Sequence, residues 1–370
     1  MTSSELQRTA LHDWHVDHGG RIVDFAGWAL PVFYETGALA EHHGTRGSVG
    51  LFDIDHMGQV DVVGPDAVAA VDRLVTSDVA AVPIGSSTYG LLCNEEGCVI
   101  DDVFVYRTGI NALMVVVNAS NRIVDREWIV ANTAEHDCVV TDRSDPLEMI
   151  AVQGPNAIDL MDAAVPGVSE LDRFGIREIE IFGRSALVGR TGYTGEDGVE
   201  LYIEGGVVDV WTGLLDLASS RSIDALAVGL GARDSLRFEP GFPLYGHELG
   251  LDINPFEARL SWAVDLDGVS FIGKEALVAA KATGLSRRLE TIVLTEKGVP
   301  REGTPVLDAD GTQVSEVVSG MFAPSADVFA ANVFLPRHLG DVGTPVAVEI
   351  RGSAKSAEVV KRPLYRRAEA

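Results

Sequence analysis

Four clusters of polar residues and glycine hold the side chains in this chain that could do chemistry. The first runs from Phe25-Ala26-Gly27-Trp28 and Pro31 through Glu41-His42 and Arg46 to Phe52-Asp53-Ile54-Asp55-His56-Met57. The second holds Tyr89, Asn94 and Cys98-Val99-Ile100-Asp101-Asp102. The third is Arg190-Thr191-Gly192-Tyr193-Thr194-Gly195-Glu196-Asp197-Gly198-Val199-Glu200, and the fourth runs from Gly229-Leu230-Gly231-Ala232-Arg233-Asp234 to Glu239, with Tyr245-Gly246 beyond. Taken singly, each has an ordinary structural explanation. Asp101-Asp102 is a candidate acid pair for catalysis, but it also suits the turn of a hairpin, where such pairs are usually solvated. Tyr193 to Gly198 reads equally as a hairpin loop, because Asp-Gly favours such turns. Arg233 to Glu239 could be the charged face of a helix with an i,i+4 pair.

Other chemistries lack their residues. There is no G-x-x-x-x-G-K-[ST] loop and no G-x-G-x-x-G after a strand, so nucleotide binding of those kinds has no support. The G-x-S-x-G elbow and H-E-x-x-H are also absent. His42, His43 and His56 have no cysteine or carboxylate at metal-ligand spacing, so no metal is expected. Cys93, Cys98 and Cys138 are an odd number in a long chain and read as free thiols rather than a disulfide framework.

The elements that must position these clusters are mixed. Gln59–Val63, Cys98–Tyr106, Leu113–Val117, Arg177–Phe182 and Val199–Ile203 read as strands, from β-branched and aromatic residues at short spacing. Asp66–Val75, Asn121–Glu135 and Val208–Arg221 read as amphipathic helices. With no steady βαβ rhythm, the fold class is α+β. From about Arg288 the helices fade, and Thr291–Leu294, Ser315–Ser319, Val328–Phe334 and Thr344–Ile350 predict a small β-barrel or sandwich. One repeat stands out: Val63-Gly64-Pro65-Asp66-Ala67-Val68 with Asp72 recurs 90 residues on as Gln153-Gly154-Pro155-Asn156-Ala157-Ile158 with Asp162. Each copy predicts a strand ending at Gly-Pro and a helix with proline in its first turn, a mark of duplicated subdomains.

The chain has 370 residues, enough for two or three domains, and 46% hydrophobic against 23% charged residues excludes wholesale disorder. Twenty-nine Lys and Arg against 55 Asp and Glu leave a net charge of -26. That charge makes nucleic acid and anionic membrane poor candidate partners. All five lysines fall in the last hundred residues, a skew that fits either a high-salt cytoplasm or a GC-rich genome. Met1 to Trp14 has no continuous apolar core, and no stretch approaches 18 apolar residues, so a cytoplasmic location is expected.

In combination the clusters are far more specific than alone. F-x-G-W-x-x-P, E-H-x-x-x-R-x-x-x-G-x-F-D, I-D-D, V-Q-G-P-N-A, G-Y-T-G-E-D-G-V-E and G-L-G-A-R-D-S-L-R follow one another along the chain. With them the sequence resembles the glycine cleavage T-protein family, the tetrahydrofolate-dependent aminomethyltransferases, from about His12 to Pro363. The resemblance implies a three-domain cloverleaf around a central folate cavity. The boundaries would be a discontinuous folate-binding domain at 1–52 plus 142–283, a second domain at 53–141 carrying Asp101, and a C-terminal β-barrel domain at 284–370.

The resemblance also implies roles. Asp101, the first carboxylate of I-D-D, would stabilise positive charge on the transferring carbon and orient the folate nitrogen. Glu200 matches the pterin-binding acid, suited to accept two parallel N–H bonds. Arg233 would contact the folate or its tail, and Tyr193 would stack on or hydrogen-bond the pterin. Tyr89 and Asn118 match positions lining the same cavity, and Arg288 or its neighbour Arg287 lies near a family arginine at the entry to the last domain. Tetrahydrofolate would be a co-substrate, and the lipoyl carrier (H-protein) of the glycine cleavage system a transient partner. The chain departs from the family pattern in places. S-H-M stands here as Asp55-His56-Met57, an extra acid expected near the cavity mouth, and the T-S-G-x-x-S-P run is replaced by Val318-Ser319-Gly320-Met321-Phe322-Ala323-Pro324.

The expected function is transfer of a methylene group from an aminomethyl-lipoyl carrier protein to tetrahydrofolate, with release of ammonia. The alternative is a tetrahydrofolate-dependent methyltransferase or demethylase acting on a methylated amine, sulfonium or ether, toward which the altered C-terminal domain leans. A folate-binding accessory protein for iron-sulfur cluster maturation is a minor third reading, since its K-G-C-x-x-G-Q-E motif is missing.

Overall fold

The computed structural model describes residues 6–368, so the first five residues of the N-terminal reading and the last two of the C-terminal domain lie outside it. The chain forms two units. One comprises residues up to Val71 with Val79–Thr88 and Val103–Leu236, and the other Asp72–Asp78, Tyr89–Asp102 and Arg237 onward.

In the first unit a six-stranded sheet has the order Ile176–Ile181, Arg184–Gly189, Gly198–Ile203, Glu148–Gln153, Val49–Asp53, Ala225–Val228. Its pairs are antiparallel except the last, which is parallel. Apart from Glu148, Gln153, Asp53 and Glu200, the central strands are apolar because both of their faces are covered. Ile150, Val152 and Leu51 face a core built with Leu160, Met161, Trp211 and Leu214 from the helices Ala157–Ala164 and Val207–Ser220. Met149, Ala151 and Phe52, one residue out of phase, face a second core with Tyr106, Met114 and Leu236. The twofold period of a strand assigns alternate residues to opposite cores.

A five-stranded sheet has the order Ser86–Cys93, Val99–Gly109, Ala112–Val117, Gly58–Val63, Val139–Asp142. The repeat is real in three dimensions. Gly58–Val63 and Glu148–Gln153 each end at a glycine with positive φ, +150° at Gly64 and +136° at Gly154. In each copy the alanine three residues on donates its N–H to the glycine carbonyl at 3.0 Å and opens a helix. A Cβ at these glycines would lie 2.5 Å from Asp137 O and 2.1 Å from Ser48 O, so glycine is required by close backbone approach as well as by φ. The first of these helices is shorter than the sequence predicts, spanning Ala67–Asp72.

The second unit contains a closed six-stranded barrel in the order Arg287–Leu294, Val328–Pro336, Gln313–Ala323, Pro305–Leu307, Pro345–Ile350, Ser353–Val360. Its interior is filled by Ile292, Val306, Val317, Val333, Val348 and Val359. Two of its strands escape the sequence reading, one because it is three residues long and begins with proline, the other because its exposed face is polar. Arg237 is sealed in this unit, donating to Glu248 Oε2 and Ser319 Oγ, each at 3.0 Å. Among the described residues no helix is long and apolar enough to cross a membrane.

Candidate functional site

Glu200 sits on the Gly198–Ile203 strand, opposite Gly189 and Ala151. Thr191 Oγ1 donates to its Oε2 at 2.7 Å, and the Tyr202 hydroxyl reaches the same oxygen at 3.4 Å. Among the described residues Oε1 takes no hydrogen bond, and the residue keeps some exposed surface. The Tyr106 hydroxyl backs this pair, 2.9 Å from Thr191 Oγ1 and 3.2 Å from the Tyr202 hydroxyl. It can do so because Gly189 carries no side chain: a Cβ there would lie 2.9 Å from that hydroxyl. Burial pushes the Glu200 carboxyl above its ordinary range, while Thr191, the charge of Arg233 and Tyr202 pull it partly back.

The loop before Glu200 is the expected hairpin connection, and its own acids hold its shape. Arg46 donates to Thr194 O at 2.6 Å and to Glu196 Oε1 at 2.8 Å, and Arg190 reaches both oxygens of Asp197 at 3.3 and 3.0 Å. Gln153 clamps the loop from beneath, donating to Thr191 O at 3.0 Å and accepting from Thr194 Oγ1 at 3.0 Å. A Cβ at Gly192 would overlap that amide at 1.8 Å, which accounts for the glycine. Tyr193 presents its ring to Arg233, whose guanidinium carbon lies 4.9 Å from the ring centre. Arg233 belongs to the helix Leu230–Phe238. The start of that helix is fixed by buried Glu41, which accepts from Gly229 N at 2.9 Å and from Tyr34 N at 2.6 Å. Glu200, Tyr193 and Arg233 thus form one cluster. Asn118 lies in the same unit, extended and half-buried at the end of the Ala112–Val117 strand.

In the second unit Asp101 and Asp102 lie on the Val99–Gly109 strand. This corrects the turn reading: the turn is at Asn94–Gly97, and Asp101 is fully buried. The strand start is pinned by Val99 N–H to Ile253 O at 3.0 Å and by packing of Val99 and Leu91 against Leu249, Phe271 and Leu277. Tyr89 donates its hydroxyl to Asp102 Oδ2 at 3.0 Å and stacks on Trp262 at 5.2 Å between ring centres. Arg288 donates to Glu290 Oε1 at 2.9 Å. Glu290, buried and also paired with Arg259, makes that arginine part of the barrel's ion cluster.

Asp55 does not stand open at a cavity mouth. It accepts from Met149 N at 2.9 Å and Ala10 N at 3.4 Å, and burial with the adjacent Asp53 pushes its carboxyl up to about 8. Asp53 is held below its ordinary range by His15, 2.8 Å away, and Thr9, 2.6 Å away. Thr191, Tyr106 and Tyr202 escaped the sequence reading as site residues; only Thr191, inside the glycine-tyrosine motif, carried a signal. Among the described residues no group of three or more His, Cys, Asp or Glu could hold a metal ion, and the three cysteines are free.

Comparison with known proteins covers nearly all of the chain. Residues 11–268 match the GCVT N-terminal domain, and residues 287–366 match the glycine cleavage T-protein C-terminal barrel domain. The aminomethyltransferase of Herpetosiphon aurantiacus is 43% identical over 363 residues, 98% of this chain and 99% of that one. The Bacillus subtilis aminomethyltransferase is 39% identical over 366 residues, 98% of this chain and all of that one. The crystal structure of glycine cleavage system aminomethyltransferase T from Bartonella henselae superposes with a TM-score of 0.90 at 32% identity, covering 97% of this chain and 98% of that one.

Proposed function

The chain belongs to the glycine cleavage T-protein family, and from that premise we propose how its residues carry out aminomethyl transfer. The activity is that of an aminomethyltransferase of the glycine cleavage system; the methyl-transferring alternative is not favoured, because the full-length relatives are aminomethyltransferases. The donor we propose is the aminomethyl group on a lipoyl carrier protein, and the acceptor tetrahydrofolate, which supplies the nucleophilic nitrogen. The transferred carbon exchanges its bonds to the carrier sulfur and to its own amino nitrogen for bonds to two folate nitrogens, so the carrier leaves as a thiol and the amino group, with the second folate proton, as ammonia.

The observation that carries the folate reading is the half-claimed carboxylate of Glu200. Both hydroxyl donors bond Oε2, so Oε1 remains to accept an N–H of a ligand, such as one from the amino-amide edge of a pterin. Tyr193 offers a ring beside that edge, and Arg233 a cation for the ligand's negative charge. Asn118 contributes an amide from the end of its strand, and Arg288 a charge near the barrel entry. Asp101, buried and therefore acting in a low-dielectric setting, stabilises positive charge on the transferring carbon and orients the accepting nitrogen. Tyr89 fixes the neighbouring Asp102. Substituting Asp101→Asn tests this division of labour. Tetrahydrofolate affinity should stay within several-fold while turnover falls by about 100-fold or more, in the range for losing a preorganised charge. Unchanged turnover would remove Asp101 from the chemistry.

A further inference from the structure

Phe174, in the first unit, holds a backbone conformation that its residue type does not favour. Asp172–Gly175 is a four-residue turn closed by Gly175 N–H to Asp172 O at 2.8 Å, and Phe174 is its third residue, with φ +67°. That position ordinarily goes to glycine or asparagine, and a bulky side chain there is strained. Phe182 also has positive φ, but it stands in the two-residue connection between Ile176–Ile181 and Arg184–Gly189, where a tight hairpin demands it. No hairpin asks for Phe174, and at 37% exposed its ring is not sealed in a core. Glycine would form the same turn without strain, so the ring itself is what the position keeps.

The turn is held from several sides. Arg190 donates from Nη1 to Ser169 O at 3.1 Å and Leu171 O at 2.5 Å and from its backbone N–H to Gly175 O at 2.9 Å, and its own carbonyl accepts from Phe174 N at 3.0 Å. Ser87 Oγ donates to Phe174 O at 2.9 Å. Thus placed, Phe174 is the outer end of a row of rings that leads to Glu200. Its ring centre lies 6.1 Å from that of Phe104, which lies 6.3 Å from that of Tyr106, two residues along on the same face of their strand. The Tyr106 hydroxyl is 2.9 Å from Thr191 Oγ1, the donor to Glu200. The sheet gives the same placement: Gly189 pairs with Ile176 on one side and Glu200 on the other, so Ile176, beside the turn, is ~10 Å from the acid by strand spacing. Over the ring of Phe174 stands Arg173, its guanidinium carbon 4.9 Å from the ring centre. Arg173 is exposed and, among the described residues, makes no hydrogen bond or ion pair.

We propose that Phe174 and Arg173 form the subsite for the p-aminobenzoyl-glutamate half of the folate, the aryl ring lying on Phe174 and Arg173 taking a carboxylate of the tail. The inference rests on the folate reading above and deepens it. With the pterin edge at Glu200, the ligand's own order of pterin, aryl ring and acidic tail matches the order of acid, aromatic row and surface cation. On binding, the guanidinium exchanges a weak exposed contact with Phe174 for a charge-assisted hydrogen bond. A glutamyl tail carries two carboxylates, so Arg233 does not exhaust it. On a chain of net charge -26, an exposed arginine without an ion pair is a place where such a tail is attracted rather than repelled.

The test titrates three ligands against the full chain: tetrahydrofolate, tetrahydropteroate, which lacks the glutamate, and 6-methyltetrahydropterin, which lacks the aryl ring as well. Wild type is set beside Phe174→Leu, Phe174→Tyr and Arg173→Gln, with thermal unfolding of each ligand-free protein. Leucine removes the ring, so the dissociation constants for tetrahydrofolate and tetrahydropteroate should rise about fivefold while that for methyltetrahydropterin stays within about twofold, and tyrosine should restore both. Arg173→Gln should raise the tetrahydrofolate constant about threefold at low salt and leave the tetrahydropteroate constant unchanged. Because Arg173 is exposed, that variant keeps the test open should the leucine chain fail to fold. Equal losses on all three ligands, a Leu variant that binds tetrahydrofolate within about twofold of wild type, an Arg173→Gln loss that persists with tetrahydropteroate, or a loss confined to unfolding temperature would each overturn the subsite. A wild-type chain that binds none of the three would overturn the folate reading itself, and the inference with it, so the two failures are distinguishable.

Discussion

Glu200 and Glu248 are both deeply set carboxylates, and each lies within the influence of an arginine from the same nine-residue helix, Arg233 for one and Arg237 for the other. Glu248 is 0% exposed and accepts from Arg237 at 3.0 Å, Asn332 Nδ2 at 2.9 Å and Leu244 N at 3.1 Å, so both its oxygens are claimed and its carboxyl is held below the ordinary range. Glu200 keeps an open oxygen and some exposed surface, and burial pushes its carboxyl the other way. The lesson is that burial and an arginine nearby do not by themselves mark a functional acid. What separates them is whether the protein has already used every lone pair.

The largest effect is expected at the structural acid. Glu248→Ala leaves Arg237 sealed without its counter-ion and should cost about 3–5 kcal/mol of stability, read from the denaturant midpoint. A loss under 1 kcal/mol would mean that Glu248 is no more a lock than Glu200. The opposite variant, Glu200→Ala, should weaken tetrahydrofolate binding by about 1.5–3 kcal/mol while moving the unfolding midpoint little. Unchanged affinity would place the pterin elsewhere.

A smaller effect sharpens the same distinction within the Asp53 and Asp55 pair. Asp53 has His15 and Thr9 as donors and is held low, so its contribution to stability is present above the unfolded aspartate range and lost as pH falls through its lowered value. Asp55 is raised to about 8, so the folded state holds a proton that the unfolded chain has released. Its contribution is fully present below about pH 4 and declines as pH rises toward 8. Between pH 6 and 8 that loss should be about 1–2 kcal/mol, and Asp55→Ser should flatten it. An equal slope in both proteins, measured by unfolding at a series of pH values, would assign the titration to another group.

Much of this was legible in the sequence. The Gly-Pro repeat, the barrel and the hairpin before Glu200 each left a local trace, because a positive φ, a period of two or an Asp-Gly turn restricts which residues can stand there. Asp101 was legible as one half of an acid pair within the expected strand Cys98–Tyr106. Its burial was not, because the turn that the pair resembled lies four to seven residues earlier, at Asn94–Gly97. Tyr106 and Tyr202 looked like ordinary strand aromatics. Their hydroxyls meet beside Glu200 only because separate strands are packed together, and a long-range contact leaves no mark on local spacing. Asp55 misled for the same reason, since the amides it binds, Ala10 and Met149, are distant in the chain.

The most direct measurement is one assay with purified protein, tetrahydrofolate and aminomethyl-loaded lipoyl carrier protein, following ammonia and 5,10-methylene-tetrahydrofolate together at high KCl. Aminomethyl transfer to folate predicts both products in equal amounts, each dependent on the carrier and on the folate. Folate binding with neither product, or ammonia without the methylene product, would contradict it.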